Sequence, residues 1–338
     1  MIRFLSRLEE SVIIWLWTSF IALIVFLLAL DLGVFNRRDH EVSIRESLGW
    51  TAFWVALSLV FNGLIYPMYE HHWFGIGEAL GHDLAGRHAA LQFLTGYLIE
   101  KSLSLDNIFV IAIIMRYFRV PGRYQHRLLF WGVLGALVMR GGMIGVGVAL
   151  IRMFDWIIYV LGALLIVTAV KMMVAHHDEI DPENNLLVRL VRRFLPVSTR
   201  ISNHNFFTRI DGRRAVTPLF LALLVIETSD LLFAVDSIPA IFSITTDPFL
   251  VFTSNVFAIL GLRSMYFVLA SVMEKFRYLQ ASLVFILAFV GVKMLLSHTY
   301  PIPILVSLAM IAVILVIGVL ASVVTAHREA RRRARTPA

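Results

Sequence analysis

Five carboxylates stand inside apolar stretches of this chain: Glu100 and Asp106 in one, Glu227, Asp230 and Asp236 in another. An ionised carboxylate at the centre of a membrane helix costs at least about 2.5–3.5 kcal/mol. Each of the five therefore calls for a fixed cation, a proton, water or an exogenous ion. Only Lys101, Arg140 and Arg263 are at hand as fixed cations, too few for five acids. Neutral oxygen donors lie close by in the chain, at Asn107 and Asn255 and in the hydroxyls of Ser102, Ser104, Thr228, Ser229 and Ser237. Carboxylates with amide and hydroxyl oxygens suit a hard divalent cation such as Mg2+, Ca2+ or Mn2+. The expected ligands are Glu100, Asp106, Asn107, Asp230 and Asp236, with Glu227 and Asn255 as additional candidates. Arg140 and Arg263 would balance part of the charge; binding an anionic substrate is the competing role for them. The acids exceed one divalent charge, which points to coupled protons or to more than one ion.

Other chemistries find little support. The chain has no cysteine, which removes thiolate catalysis, disulfides and thiolate metal sites together. No phosphate-binding G-x-x-x-x-G-K-[ST] loop is present, so nothing suggests an ATP-driven pump, an enzyme or a permanently bound cofactor. His71, His72, His82, His88 and the run His176–His177–Asp178–Glu179 could collect metal at two mouths, but interface and loop histidines are the commoner case.

These residues need a membrane scaffold to hold them. Of 338 residues 59% are hydrophobic and 16% charged, well below the roughly 25% charged of soluble domains. Nine apolar stretches are each long enough to cross a bilayer as a helix: 12–30, 48–65, 91–115, 128–150, 156–174, 217–243, 249–271, 279–296 and 303–325. The expectation is an all-α polytopic membrane protein. Alternating ten-residue strands, the mark of an outer-membrane barrel, are absent, and no cleavable signal peptide is evident. In a nine-span arrangement one side carries four basic residues (Arg3, Arg7, Arg87, Arg152) and the other 21. The positive-inside rule then puts the N-terminus in the periplasm and the C-terminus in the cytoplasm of a bacterial inner membrane. The basic tail reads as a topology signal in contact with anionic lipid rather than as a nucleic-acid arm.

A repeat organises the middle of the chain. The segment EKSLSLDNIFVI at 100–111 aligns with DLLFAVDSIPAI at 230–241, matching Glu100 to Asp230 and Asp106 to Asp236. Further on Arg140 matches Arg263, and VKMMVAH at 170–176 matches VKMLLSH at 292–298, pairing Lys171 with Lys293. Apolar matches between membrane helices carry no weight, but charged residues in register do. The division is 1–90 (two N-terminal helices and a periplasmic loop), 91–174 (first repeat), 175–216 (cytoplasmic loop), 217–298 (second repeat) and 299–338 (last helix and basic tail). Three spans per copy put the copies in opposite orientations, the inverted repeat of secondary transporters, whose sites lie near the midplane. A six-residue gap turns a helix by about 240°, so Glu100 and Asp106 share a site only if the helix unwinds between them. Pro239 gives the second copy a reason to break. Lys171 and Lys293 read as residues that snorkel to the interface.

The segments EKSLSLDNIFV, ETSDLLFAVDSIPAIF, TTDPFLVFTSN and FAILGLRSMYF closely resemble the TerC/Alx family of integral membrane proteins, and ALDLGVFNRR is similar to its Alx branch. The resemblance runs from about residue 22 to 325. The family is named for tellurium resistance, and its Alx members are implicated in manganese export. Its acidic positions correspond to Glu100, Asp106, Asp230 and Asp236 here. The resemblance implies an exporter of Mn2+ or a similar divalent cation, working by alternating access with protons or membrane potential as the drive. The alternative is a membrane scaffold or assembly factor linked to tellurite or metal stress that transports nothing.

Overall fold

The protein is represented by a computed structural model that describes residues 2–35, 44–73, 76, 84–174, 185–198, 205–210, 213–270 and 278–335. Every one of the nine apolar stretches is helical: α1 (Ile2–Phe35), α2 (Ile44–Glu70), α3 (Gly86–Tyr117), α4 (Gly122–Met153), α5 (Ile157–Val174), α7 (Pro218–Phe242), α8 (Pro248–Ile259) with α9 (Leu262–Ala270), α10 (Leu279–Leu295) and α11 (Ile304–Arg335). Among the described residues, five helices are long and apolar enough to span a bilayer (α2, α4, α5, α7 and α11), and the bent pair α8–α9 makes six. The apolar parts of α1 (Ile14–Leu30) and α10 (Ala281–Leu295) are shorter. Helix α3 is long enough, but Glu100, Lys101 and Asp106 interrupt its apolar character.

Two expectations about helix shape are corrected. The stretch 249–271 is not one straight span: it bends by 42° between α8 and α9. Gly261 makes the joint, with φ +81°, a conformation that costs a side chain about 1–2 kcal/mol. A Cβ there would also lie 2.8 Å from the buried Trp54 ring of α2. Conversely, neither α3 nor α7 unwinds at its acids. Helix α3 runs unbroken through Glu100 and Asp106, and Pro239 falls so close to the end of α7 at Phe242 that little helix remains to break.

Local sequence fixes where these helices start. Pro218 follows the N-cap Thr217 of α7, using the position where a missing N–H does no harm. Asp247 caps α8 by accepting from the N–H groups of Phe249 (2.8 Å) and Leu250 (3.2 Å), and its other oxygen accepts from Tyr69 of α2 at 2.9 Å.

Helices α3, α7 and α8 form the centre, with α2 and α9 against one flank of α3 and α4 against α7 and α8. The most extensive helix contact joins α5 to α10. There the backbones nearly touch: a Cβ on Gly162 would come within 3.2 Å of the Gly291 carbonyl, and one on Gly291 within 3.0 Å of the Gly162 carbonyl. Small residues permit this packing where lipid offers no hydrophobic drive between helices.

The stretch 175–216, read from sequence only as a loop, holds a short helix α6 (Leu186–Phe194) and an antiparallel hairpin of β1 (Phe207–Ile210) and β2 (Arg213–Val216). Asn185 caps α6 through the N–H groups of Leu187 and Val188 and donates its amide to Thr228 of α7 at 2.8 Å.

Candidate functional site

Arg140, on α4, is 2% exposed and gathers the acids. Its Nε donates to Asp230 Oδ2 at 3.1 Å and its Nη2 to Asp230 Oδ1 at 2.8 Å, a bidentate clasp on α7. The same guanidinium forms an ion pair with Glu100 of α3, which is completely buried. Ser237 Oγ lies 3.5 Å from Nη1. Asn107 completes the surround: with its amide turned to satisfy both ends, the nitrogen donates to the Leu103 carbonyl (3.1 Å) and the oxygen accepts from Arg140 Nη2 (3.2 Å). Arginine suits this place because its planar fork serves two carboxylates at once.

Glu227 lies three residues before Asp230, on the same side of α7, and its carboxylate packs against Gly135 of α4, where the missing side chain makes room for it. Its Oε2 is buried and accepts no hydrogen bond. A buried carboxylate oxygen without a donor beside a second carboxylate calls for a proton or a cation. Glu227 is only an additional candidate from sequence; the structure puts it next to Asp230, one of the two acids that meet Arg140.

The remaining expected ligands are spread more widely. Asp236 turns away from Arg140 and accepts from Thr168 Oγ1 of α5 at 2.8 Å, with Lys171 of α5 within electrostatic reach. Thr168 had no role in the sequence reading; a hydroxyl inside an apolar helix was the available signal. Asp106 is half-buried on α3, which stays helical, so it projects from a different face than Glu100. Asn255 is buried on α8 and its amide nitrogen has no acceptor. Among the described residues, no three His, Asp or Glu side chains are gathered closely enough to hold a metal ion, and a guanidinium sits between Glu100 and Asp230.

The other cations are assigned differently from expectation. Lys101 balances none of these acids in the structure: its Nζ donates to the Ala258 carbonyl at 3.2 Å, in the last turn of α8 before the Gly261 joint. A helix C-terminus bears partial negative charge and carbonyls without donors, so an ammonium is well placed there. Arg263 is buried on α9, the helix that packs against α2, α3 and α4. Lys293 is buried within α10, 9% exposed, while Lys171 is exposed. Of the histidines, His71 and His72 lie just beyond the end of α2 and His88 in the first turn of α3. His82 and the 176–179 run lie outside the described residues.

With this geometry in hand, comparison with known proteins is informative. The profile of the integral membrane protein TerC family matches residues 85–330. An uncharacterised membrane protein of Myxococcus xanthus, STKORF319, is 50% identical over 309 residues, covering 91% of this chain and 92% of that protein. Alx of Escherichia coli K12, named as a proposed membrane-bound redox modulator, is 46% identical over 319 residues, covering 94% and 97%. An uncharacterised membrane protein of Rickettsia bellii is 40% identical over 308 residues, covering 91% and 97%. No solved structure matches the chain significantly.

Proposed function

The chain belongs to the TerC family of integral membrane proteins, and from that premise we propose that it exports Mn2+ or a similar divalent cation as a secondary transporter of the inner membrane. In this reading it has nine spans, a periplasmic N-terminus and a cytoplasmic C-terminus. The carrying observation is the meeting of Glu100 and Asp230 on one guanidinium. These two acids align with each other between the two sequence copies. Equivalent residues that reach the same side chain support a two-fold axis passing close to it.

The helix neighbours support the same axis. First, second and third helices each touch their own counterpart: α3 with α7, α4 with α8 and α9, α5 with α10. Cross-contacts come in reciprocal pairs, α3–α8 with α4–α7, and α5–α7 with α3–α10. Three spans per copy turn such an axis into the membrane plane, the arrangement on which alternating access is built. Arg140 then acts as an internal stand-in for the cargo. While it holds Glu100 and Asp230 the acids are neutralised without metal. When it withdraws, those two acids, Glu227 and Asn107 are left to close on a divalent ion, with Asp106 and Asp236 as the outer acids of the path.

The relatives' name offers a second reading, a modulator of redox state. This chain has no cysteine with which to exchange disulfides. A redox effect would follow more simply from altered supply of a redox-active metal than from thiol chemistry. A scaffold without transport would tolerate neutral residues at the acids; a transporter would not.

The test is Mn2+ flux into proteoliposomes, together with manganese tolerance in a strain without its own exporters, for Asp106→Asn, Asp236→Asn and Glu227→Gln. Removing one charge from a buried ion pair costs about 3–5 kcal/mol, so affinity should fall by two or more powers of ten at normal membrane abundance. Variants that move Mn2+ and protect cells as well as the parent would end the transport reading in favour of the scaffold.

A further inference from the structure

The hairpin β1–β2 has a feature that the transport reading does not use. Its register sets Arg209 directly opposite Arg214. Directly opposed side chains point to the same face of a strand pair, and like charges so placed are destabilising. Neither arginine has a salt bridge among the described residues. Positive charge is dense around them: residues 186–216 hold seven arginines and one acid, Asp211. Beside the pair lies a cavity of about 540 Å³, lined by Leu195, Phe207, Thr208, Arg209, Arg214 and Ala215. Its walls are thus chiefly apolar, with the two guanidinium groups as the charged members.

The position of the hairpin matches the membrane surface. Residue 217 follows β2 directly as the N-cap of α7. Phe206, at the start of the hairpin, lies against Trp131 of α4 (ring centroids 6.5 Å apart) and under the guanidinium of Arg127 at 5.4 Å. An exposed tryptophan one turn after an arginine marks the headgroup layer of a spanning helix. Leu187, Leu190 and Phe194 of α6 and Phe207 of β1 are exposed apolar residues in the same segment, which lipid would cover.

We infer that this cavity is a binding site for an anionic phospholipid of the leaflet it faces, the phosphate bridging Arg209 and Arg214 and the upper acyl chain lying along Leu195 and Phe207. A headgroup anion would turn the opposed arginines from a repulsive pair into a clamp, and guanidinium forks match phosphate geometry. The inference needs only that the chain spans a membrane, and it stands or falls separately from Mn2+ transport.

The experiment uses the full-length protein in a neutral detergent, without added metal. Thermal unfolding is followed while short-chain phosphatidylglycerol, phosphatidylcholine of equal chain length, or inorganic phosphate is added. Phosphatidylglycerol should raise the midpoint in a saturable way, and the other two should not. Arg209→Gln with Arg214→Gln should weaken the phosphatidylglycerol response at least tenfold while leaving the lipid-free midpoint equal or higher, because the repulsion is gone. Arg209→Lys with Arg214→Lys keeps the charge without the fork and should fall between; it also serves if the glutamine pair does not fold. Equal responses to phosphatidylcholine, an equal response to inorganic phosphate, or an unchanged response in the glutamine and lysine variants would each overturn the assignment.

Discussion

Helix α4 and the pair α8–α9, which the proposed repeat sets in correspondence, each carry a buried arginine, yet they are built differently. Helix α4 runs 32 residues without interruption, and Arg140 in its middle holds acids from α3 and α7. Its counterpart breaks at Gly261, two residues before Arg263, and among the described residues Arg263 is not the partner of Glu100 or Asp230. Consecutive residues of α3 serve the two sides: Glu100 reaches Arg140 and Lys101 reaches the Ala258 carbonyl at the break. The first arginine therefore ties Glu100 and Asp230 together by charge, while the helix of the second carries a joint with a cap. In a transporter of two inverted copies such a difference is expected of any single state, because alternating access exchanges the roles of the halves.

The largest effect that would sharpen the contrast belongs to Arg140. Changing Arg140→Gln strands the fully buried Glu100 and undoes the clasp on Asp230, a loss of about 3–5 kcal/mol. The thermal midpoint of the purified protein should drop sharply, and adding Glu100→Gln should recover much of the loss. Arg263→Gln leaves the pairing of Glu100 and Asp230 with Arg140 intact, so adding Glu100→Gln to it should bring no recovery. The same response to Glu100→Gln at the two arginines would mean that the central ion pairs do not distinguish the copies.

How much of this was legible beforehand follows from what each signal encodes. Length and hydropathy located helix in each of the nine apolar stretches, because a segment of that apolar length must satisfy its backbone internally. Only five or six of the described helices are long and apolar enough to span. The five acids were conspicuous for the same reason. Partner choice was not legible: Lys101 is adjacent to Glu100 in sequence but, one residue on, points about 100° around the helix, toward α8. The break at Gly261 had a visible sign, a glycine in FAILGLRSMYF, but apolar content alone reads as one span. Pro239 misled in the opposite direction, since a proline near a helix end disturbs little. The hairpin was missed although Asp211–Gly212 between two short runs is a strong hairpin signal, and LLVRLVRRF at 186–194 has an amphipathic pattern.

Second in size is the joint itself. Gly261→Ala forces a side chain into left-handed backbone and against Trp54, together about 2–4 kcal/mol. The protein should unfold at lower temperature, and Gly261→Asn, whose side chain tolerates left-handed backbone better, should lose less than Gly261→Ala. Equal losses would show that crowding against Trp54 alone demands glycine there, and the two helices would then differ by packing rather than by backbone. Lys101→Met comes next. Losing a charged donor to a helix-terminal carbonyl costs about 1.5 kcal/mol, offset in part by the apolar replacement. If Lys101→Met leaves the midpoint unchanged, the cap contributes nothing and the joint is held by Gly261 alone.

The smallest effect has the opposite sign and tests α4. Gly145 lies in the interior of that helix, and a Cβ added there meets no atom within 4 Å. Alanine removes the conformational freedom that glycine loses on folding, a gain of about 0.5–1 kcal/mol in a helix interior. Gly145→Ala should therefore raise the thermal midpoint slightly, where Gly261→Ala lowers it. Transport gives the discriminating readout. If α4 moves as a rigid body around Arg140, Mn2+ flux in Gly145→Ala should match the parent. If α4 must break in the opposite-facing state, as its counterpart does here, alanine should slow flux while stability rises. That second outcome would make the difference between the two helices a property of the state and not of the sequence, with Gly145, seven residues beyond the position that the Arg140–Arg263 register aligns with Gly261, as the joint of α4.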